Sequence, residues 1–467
     1  MREMHVWDDE TDLFAHSVIG YAIERLRVPK DPRWGQHPAS ELKAALDGVI
    51  NSTGVGGFEA LRVFRDVLMP ACRPMDDPMN LAYVPTAPTI AATMFDLVVS
   101  SASIFGGLWE SGAGAIAAEN QALSWLAEIA GYPTTAGGVF VSGGSAANLS
   151  ALVAARHGYL QDHARPARFA VAATSEVHAS VRAAARVMDI DVLTVAADDN
   201  GRMTGAALGR ALDDEESRRG GTGASSSVFA VVATAGTTNA GAIDELGAIA
   251  DVCTERGLWL HVDGAYGLAA LASTTGRELM RGLERSDSFG VDPHKWLFAP
   301  YDCAALIYRD PTKAAAAHAQ HGDYLDAVDR GEWNPSDYAY HLSRRARGLP
   351  LWFSLATYGT DAYSAAVDHT LVTAAGFADA VEAHASFDLL IRPELSIVLF
   401  RRRGWMPTDY HAWSRERARQ GVALIVPSSW HDEICMRICL VNPRTQLTAL
   451  TALLDDMATY PAAQPAS

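Results

Sequence analysis

Cysteine is scarce in this 467-residue chain: five residues (Cys72, Cys253, Cys303, Cys435 and Cys439), odd in number and scattered. No disulfide framework and no zinc-ligand spacing emerges from them. Cys435 and Cys439 sit in the run ICMRICLV, whose alternation reads as apolar strand positions rather than a metal pair. No metal site is expected, and the chain reads as a reduced, cytoplasmic protein. Positive charge is short as well, with 38 Lys+Arg against 55 Asp+Glu and a net charge of −17. Such a surface repels phosphate backbones, so nucleic acid is excluded as a partner. A local pocket can still oppose that field for a small anion. Long apolar runs are missing too. The most apolar stretch, Leu97 to Trp109, has 13 residues, short of the roughly 20 that span a bilayer. No membrane partner is expected, and the acidic opening MREMHVWDDE has no apolar core of a signal peptide.

What is present is a large apolar fraction, 49%, enough for a sizeable core and too much for a disordered chain. At about 150 residues per domain the length suggests two to three units. Residues 1–88 carry amphipathic stretches, LFAHSVIGYAIERL and FEALRVFRDVLM, broken by Pro- and Gly-rich turns. They predict a helical lead-in segment. Residues 89–347 alternate strand-like runs with helix-like ones such as ANLSALVAARHGYL. The strand candidates are Val139–Val141, Phe169–Ala172, Val192–Val195, Phe229–Thr234, Trp259–Val262 and Ala304–Tyr308. This alternation predicts an α/β domain around a largely parallel sheet. Residues 348–467 mix helices with short strands and predict a smaller α+β domain.

Three segments carry chemistry. In GGVFVSGGSAAN (residues 137–148) a strand ends in small residues and a helix begins at once. That pattern suits an anion held on backbone N–H groups at a helix N-terminus; the competing reading is a tight turn with Ser145 as helix cap. In WLHVDGAY, Asp263 stands at the C-terminal end of an apolar strand, where open α/β sheets bind ligands. Its competing reading is a helix cap. In SDSFGVDPHKW, Lys295 follows His294 after a strand-like segment. It is either a solvated surface lysine or an amine that forms a Schiff base. An anion cup, an acid at a strand end and a His-Lys pair 32 residues later together match the needs of pyridoxal 5'-phosphate. The phosphate takes the cup, the aldehyde takes Lys295, and the carboxylate keeps the pyridine nitrogen protonated. His178, in TSEVHASV after the strand 169–172, can stack on the ring, or can be an ordinary histidine at a loop–helix junction.

At these residues the sequence resembles the pyridoxal-phosphate-dependent group II amino-acid decarboxylases, which include aromatic-L-amino-acid, glutamate and diaminobutyrate decarboxylases. The matching stretches are YVPTAP, ENQALSWLAEIAGYP, GGVFVSGGSAANLSAL, EVHASV, VVATAGTTNAGAIDEL, WLHVDGAYG, DSFGVDPHKWLFAPYDCAALIYRD and MRICLVNPRT, in family order. The resemblance implies an aspartate-aminotransferase-like fold (PLP fold type I), with a seven-stranded type of large-domain sheet. It also implies a homodimer in which the lead-in helices clasp the partner subunit. Residue by residue, it makes Lys295 the imine-forming lysine and His294 its cofactor-contacting neighbour. Asp263 binds the pyridine nitrogen, Ala265 packs on the ring and His178 stacks on it. Gly144 and Ser145 hold the phosphate, and Thr238 lies near the cofactor. Tyr83 and Thr86 line the substrate side, and Tyr324 donates a proton. Animal aromatic decarboxylases have asparagine where Asp292 stands, other members carry aspartate there, and the resemblance counts Asp292 among the cofactor-binding residues. Val84 and Gly107 replace phenylalanines of the aromatic enzymes. An aromatic L-amino acid is the first expectation, with aliphatic or acidic ones open.

The resemblance further implies decarboxylation to an amine and CO2. The substrate amine displaces Lys295, the bond to the carboxylate stands perpendicular to the ring, and a quinonoid is reprotonated at Cα from Tyr324. Tyr324 lies 29 residues after Lys295 in the polar stretch HAQHGDYLDAVDRGEWNPSDY, which reads as a mobile loop that closes over the substrate. Two other readings compete. An aldehyde synthase on the same scaffold tends to carry phenylalanine at the Tyr324 position. A catalytically inactive homologue is argued against by the joint retention of Lys295, Asp263, His178 and Tyr324.

Overall fold

The structure, a computed structural model, describes residues 4–31, 33–218, 228–320 and 331–462. Its larger sheet contains β1 (Gly137–Val141), β2 (Ala170–Thr174), β3 (Asp191–Val195), β4 (Val228–Thr234), β5 (Trp259–Asp263), β6 (Ser288–Val291) and β7 (Ala304–Tyr308). Their order is β1-β7-β6-β5-β4-β2-β3. Strand β7 runs antiparallel to both neighbours, and the remaining pairs are parallel. All six strand candidates fall in this sheet; β6 is the short strand-like segment before Lys295, which was not among the six.

Burial explains the composition of these strands. All seven residues of β4, VFAVVAT, are buried, as expected where helices cover both faces of a sheet. Neighbouring side chains leave in opposite directions. Val231 and Ala233 therefore join one apolar cluster, with Leu260 and Val262, while Ala230 and Val232 join the other, with Trp259. Register then sets the functional edge: Asp263 ends β5 beside Thr234 of β4 and Gly290 of β6.

A second sheet, β8 (Phe387–Ile391), β9 (Ile397–Arg402), β10 (Val426–Trp430) and β11 (Glu433–Cys439), is antiparallel with the order β10-β11-β9-β8. The helices 360–383, 407–420 and 447–459 pack on it through Phe377, Trp413 and Leu450 against Phe400 and Met436. Cys435 and Cys439 are buried on β11 with free thiols, and the described residues hold no cluster of metal-ligating side chains.

The expected lead-in helix is Asp9–Arg27, started by the Asp8 carboxylate accepting from the Thr11 N–H at 2.8 Å. None of its residues is buried, and Leu13 remains 64% exposed. Phe14 and Tyr21 meet Phe58 and Phe64 edge-on, while Leu13 and Ile19 stay exposed, so part of its apolar face is open in a single chain. No described helix is long and apolar enough to cross a membrane.

Candidate active site

The chain leaves β1, stays extended through Gly143 (φ 174°, ψ 168°) and enters the helix Gly144–Asp162, which no side chain caps. Ser145 is thus inside the first turn and is not the cap. Gly144 has a packing reason: a Cβ there would stand 2.9 Å from the Ala265 Cβ and 3.3 Å from both Asp292 carboxylate oxygens. The backbone donors of this first turn open on a cavity of about 180 Å³ lined by Gly143, Gly144 and Ser145. His178, Asp263, Ala265, Asp292, His294 and Lys295 line the same cavity. Segments from four parts of the chain, expected to meet from sequence, do meet.

Lys295 sits in a single helical turn, Pro293–Trp296, directly after β6. Its ammonium lies 2.9 Å from the Asp292 carboxylate. Burial by itself pulls the lysine down; the adjacent carboxylate outweighs it and holds the ammonium above its ordinary value. Asp292 is 2% exposed, and its Oδ1 has no hydrogen-bond partner among the described residues. The His294 Nδ1 accepts the Cys303 N–H at 3.1 Å, so its Nε2 carries the proton and faces Asp292 at 3.6 Å. Burial lowers the His294 pKa against the pull of Asp292. Across the cavity, the Asp263 Oδ1 accepts the Ala265 N–H at 3.2 Å, and Oδ2 accepts an Asn148 N–H at 2.8 Å. The local turn bond and the ligand-facing position therefore coexist in Asp263. His178 likewise caps the helix Ala179–Met188, its Nδ1 accepting the Ser180 N–H at 3.2 Å, while also lining the cavity.

Tyr83 and Thr238 line a neighbouring cavity of about 450 Å³, which shares His178 with the first. Tyr83 is held at a positive φ of 58°. Thr86 lines neither cavity: it is buried, and its hydroxyl donates to the Ala299 carbonyl at 3.4 Å. At Gly107 no side chain fits, since a Cβ would stand 2.5 Å from the Leu342 carbonyl and 2.8 Å from the Phe105 ring. Tyr324 lies outside the described residues.

Two residues of the site escaped the motif reading. Arg437, on β11, is 7% exposed and donates to the Tyr83 carbonyl at 2.7 Å and the Thr238 carbonyl at 2.6 Å. Its signal was available, as the one charge inside the apolar run ICMRICLV. Asn148 is 1% exposed on the helix after β1; a polar residue in an otherwise apolar helical face was its signal.

These elements form a pocket with a primary amine, a carboxylate at a strand end and an uncapped helix N-terminus facing one another. The Asp292 oxygen without a partner and the space that a Cβ on Gly144 would fill both mark it as shaped for a bound group, and the donor set fits pyridoxal phosphate. The family model of the pyridoxal-dependent decarboxylase conserved domain matches residues 59–403. The chain belongs to that family of pyridoxal-phosphate-dependent carboxy-lyases. It is 31% identical over 449 residues to an aromatic-L-amino-acid decarboxylase from Bacillus atrophaeus, covering 91% of each chain. It is 32% identical over 389 residues to an L-2,4-diaminobutyrate decarboxylase from Rhizobium meliloti (strain 1021), covering 81% of this chain and 77% of that one. The crystal structure of Oryza sativa TDC with PLP and tryptamine superposes with a TM-score of 0.89 at 23% identity, over 98% of both chains. The fold is accordingly the aspartate-aminotransferase-like α/β fold of PLP fold type I.

Proposed function

We propose that this chain converts an L-amino acid to its amine and CO2, with an aromatic side chain as the first substrate class to test. The observation that carries this reading is the convergence of Lys295, Asp292, Asp263 and the Gly144 turn on one cavity. The bound cofactor supplies an electron sink for the pair of electrons left when CO2 departs. The protein's part is holding and positioning. Lys295 is the attachment point for the cofactor aldehyde. Asp292 keeps its ammonium paired until then. With the cofactor bound, Asp263 would keep the pyridine nitrogen protonated, Ala265 and His178 would contact the ring, and the N–H groups of Gly144 and Ser145 would take the phosphate. His294 orders the Asp292–Lys295 pair from the Cys303 side. Thr238 and Tyr83 bound the substrate side, and Arg437 places a buried positive charge there for the substrate carboxylate. Tyr324 is the proposed proton donor to Cα.

The reading includes a division into 1–88, 89–347 and 348–467. It also includes a homodimer, supported by the exposed apolar faces at Leu13, Phe58, Ile90 and Leu97. Five free thiols support a cytoplasmic location. The aromatic expectation rests on the Bacillus relative; aliphatic and acidic substrates remain arms of the same test. That test is a panel of L-amino acids assayed for CO2, with products identified by mass. Amine in step with CO2 supports the reading. Aldehyde and peroxide in place of amine would make the chain an aldehyde synthase, and no CO2 from any member would leave it without this activity.

A further inference from the structure

We infer that Asn148 is a positioning residue for the cofactor: its carboxamide holds the Asp263 carboxyl group in place and, through the Ser180 hydroxyl, braces the His178 ring. The inference rests on the proposed roles of Asp263 and His178.

Hydrogen-bond directions orient the Asn148 carboxamide. At one end of the network is the Trp259 indole N–H, which can only donate, 2.9 Å from the Ser288 hydroxyl. The Asn148 Oδ1 faces the His261 Nε2 at 2.9 Å, and an amide oxygen only accepts, so His261 carries its proton on Nε2. Its Nδ1 then accepts the Ser288 hydroxyl, also at 2.9 Å. The Asn148 nitrogen then gives one N–H to the Asp263 Oδ2 at 2.8 Å and the other to the Ser180 hydroxyl at 2.9 Å. The Ser180 hydroxyl lies 2.8 Å from the His178 Nδ1. The Ser180 backbone N–H, again donor only, points at the same Nδ1 from 3.2 Å. So Ser180 meets the His178 Nδ1 twice, through its hydroxyl and its backbone.

Every amide hydrogen and the carbonyl of Asn148 is used, and both Asp263 oxygens face pure donors, from Asn148 and Ala265. These two bonds hold the carboxyl group where it lines the cavity. His261 is fully buried and held neutral by that burial, its pKa pushed down to about 4. It therefore acts as a fixed donor to Asn148. One side chain thus sets two groups proposed to touch the ring.

The test titrates pyridoxal phosphate onto cofactor-free protein and reads the dissociation constant by fluorescence quenching. Removing a charge-assisted hydrogen bond should weaken binding in Asn148→Ala by about ten- to a hundredfold. Asn148→Thr, with one donor in place of two, should fold readily and fall between Asn148→Ala and the parent. If Asn148→Ala does not fold, Asn148→Thr alone decides: affinity equal to the parent overturns the inference. The same pair is read in an Asp263→Asn background, where the amide has no carboxylate to hold, so the Asn148 effect should shrink to a few-fold at most. An undiminished loss there means a merely structural role and overturns the inference. Should Asp263→Asn by itself leave affinity unchanged, the assignment of Asp263 fails, separately from that of Asn148.

Discussion

Lys295 is one residue whose neighbours decide its chemistry. A solvated lysine would lack a buried carboxylate at 2.9 Å. Lys295→Ala is expected to abolish amine formation and the visible absorbance of the bound cofactor, while leaving the Gly144 turn and Asp263 to bind it; turnover near the parent level, measured as CO2, would sink the assignment. Gly144→Ala probes the phosphate turn. Its Cβ has to displace Ala265 or Asp292, so cofactor affinity should fall, and the thermal midpoint of the cofactor-free protein should drop with it, as overpacking costs about 1–3 kcal/mol. At this scale the sequence was informative for groups marked by motif and weak for groups marked by context. Lys295, Asp263 and His178 were legible because their neighbours in sequence are their neighbours in the site. Arg437 and Asn148 were not, because their partners lie 199 and 115 residues away.

Elements meet around a buried ion pair. Glu119, on the helix 109–129, accepts Arg344 N–H groups and the Gly348 N–H at 2.8 Å. The Arg344 side chain is 0% exposed and also bonds the Gly106 carbonyl. Glu119→Ala leaves that guanidinium unpaired, a loss of about 3–5 kcal/mol. The thermal midpoint should fall by several degrees, and more than in the surface control Glu59→Ala, whose Arg62 partner is half exposed. The segment that carries Tyr324 has its own test. Tyr324→Phe is expected to release CO2 with less amine and more peroxide, as protonation at Cα slows by roughly 10²–10⁴-fold. An unchanged amine yield per CO2 would assign the proton to another group.

Across the whole molecule, burial of histidine couples folding to pH. His261 and His341 are both pushed down to about 4, chiefly by burial, and burial lowers His294 and His318 as well. In the unfolded chain these rings take up protons near their ordinary value of about 6.5. Between there and about 4 these rings bind more protons in the unfolded state, so their contribution to stability is complete above about 6.5 and is lost as pH falls. Buried Asp244, pushed up to about 7, and Asp287, also raised by burial, work the other way over the same range, so the histidine share is read by difference: His341→Asn should lose less thermal stability than the parent between pH 7 and pH 5, and an identical slope contradicts it. Assembly is the other whole-molecule property. Sedimentation should give a dimer, and an active monomer would remove the reason for the exposed face of the helix 9–27.

The sequence by itself determined the alternation of strands and helices, the strand that delivers Asp263 and the turn that delivers Lys295. Each of these follows from local periodicity and from residue types whose chemistry is intrinsic. Only the tertiary structure decided that β7 runs against its neighbours, because direction within a sheet depends on how the connections cross, not on which residues are apolar. It alone also showed Thr86 buried and hydrogen-bonded to Ala299. It brought β11 of the second sheet close enough for Arg437 to hold Tyr83 and Thr238. Contacts between residues far apart in the chain leave no periodic trace, so a buried polar network is read only once its members stand side by side.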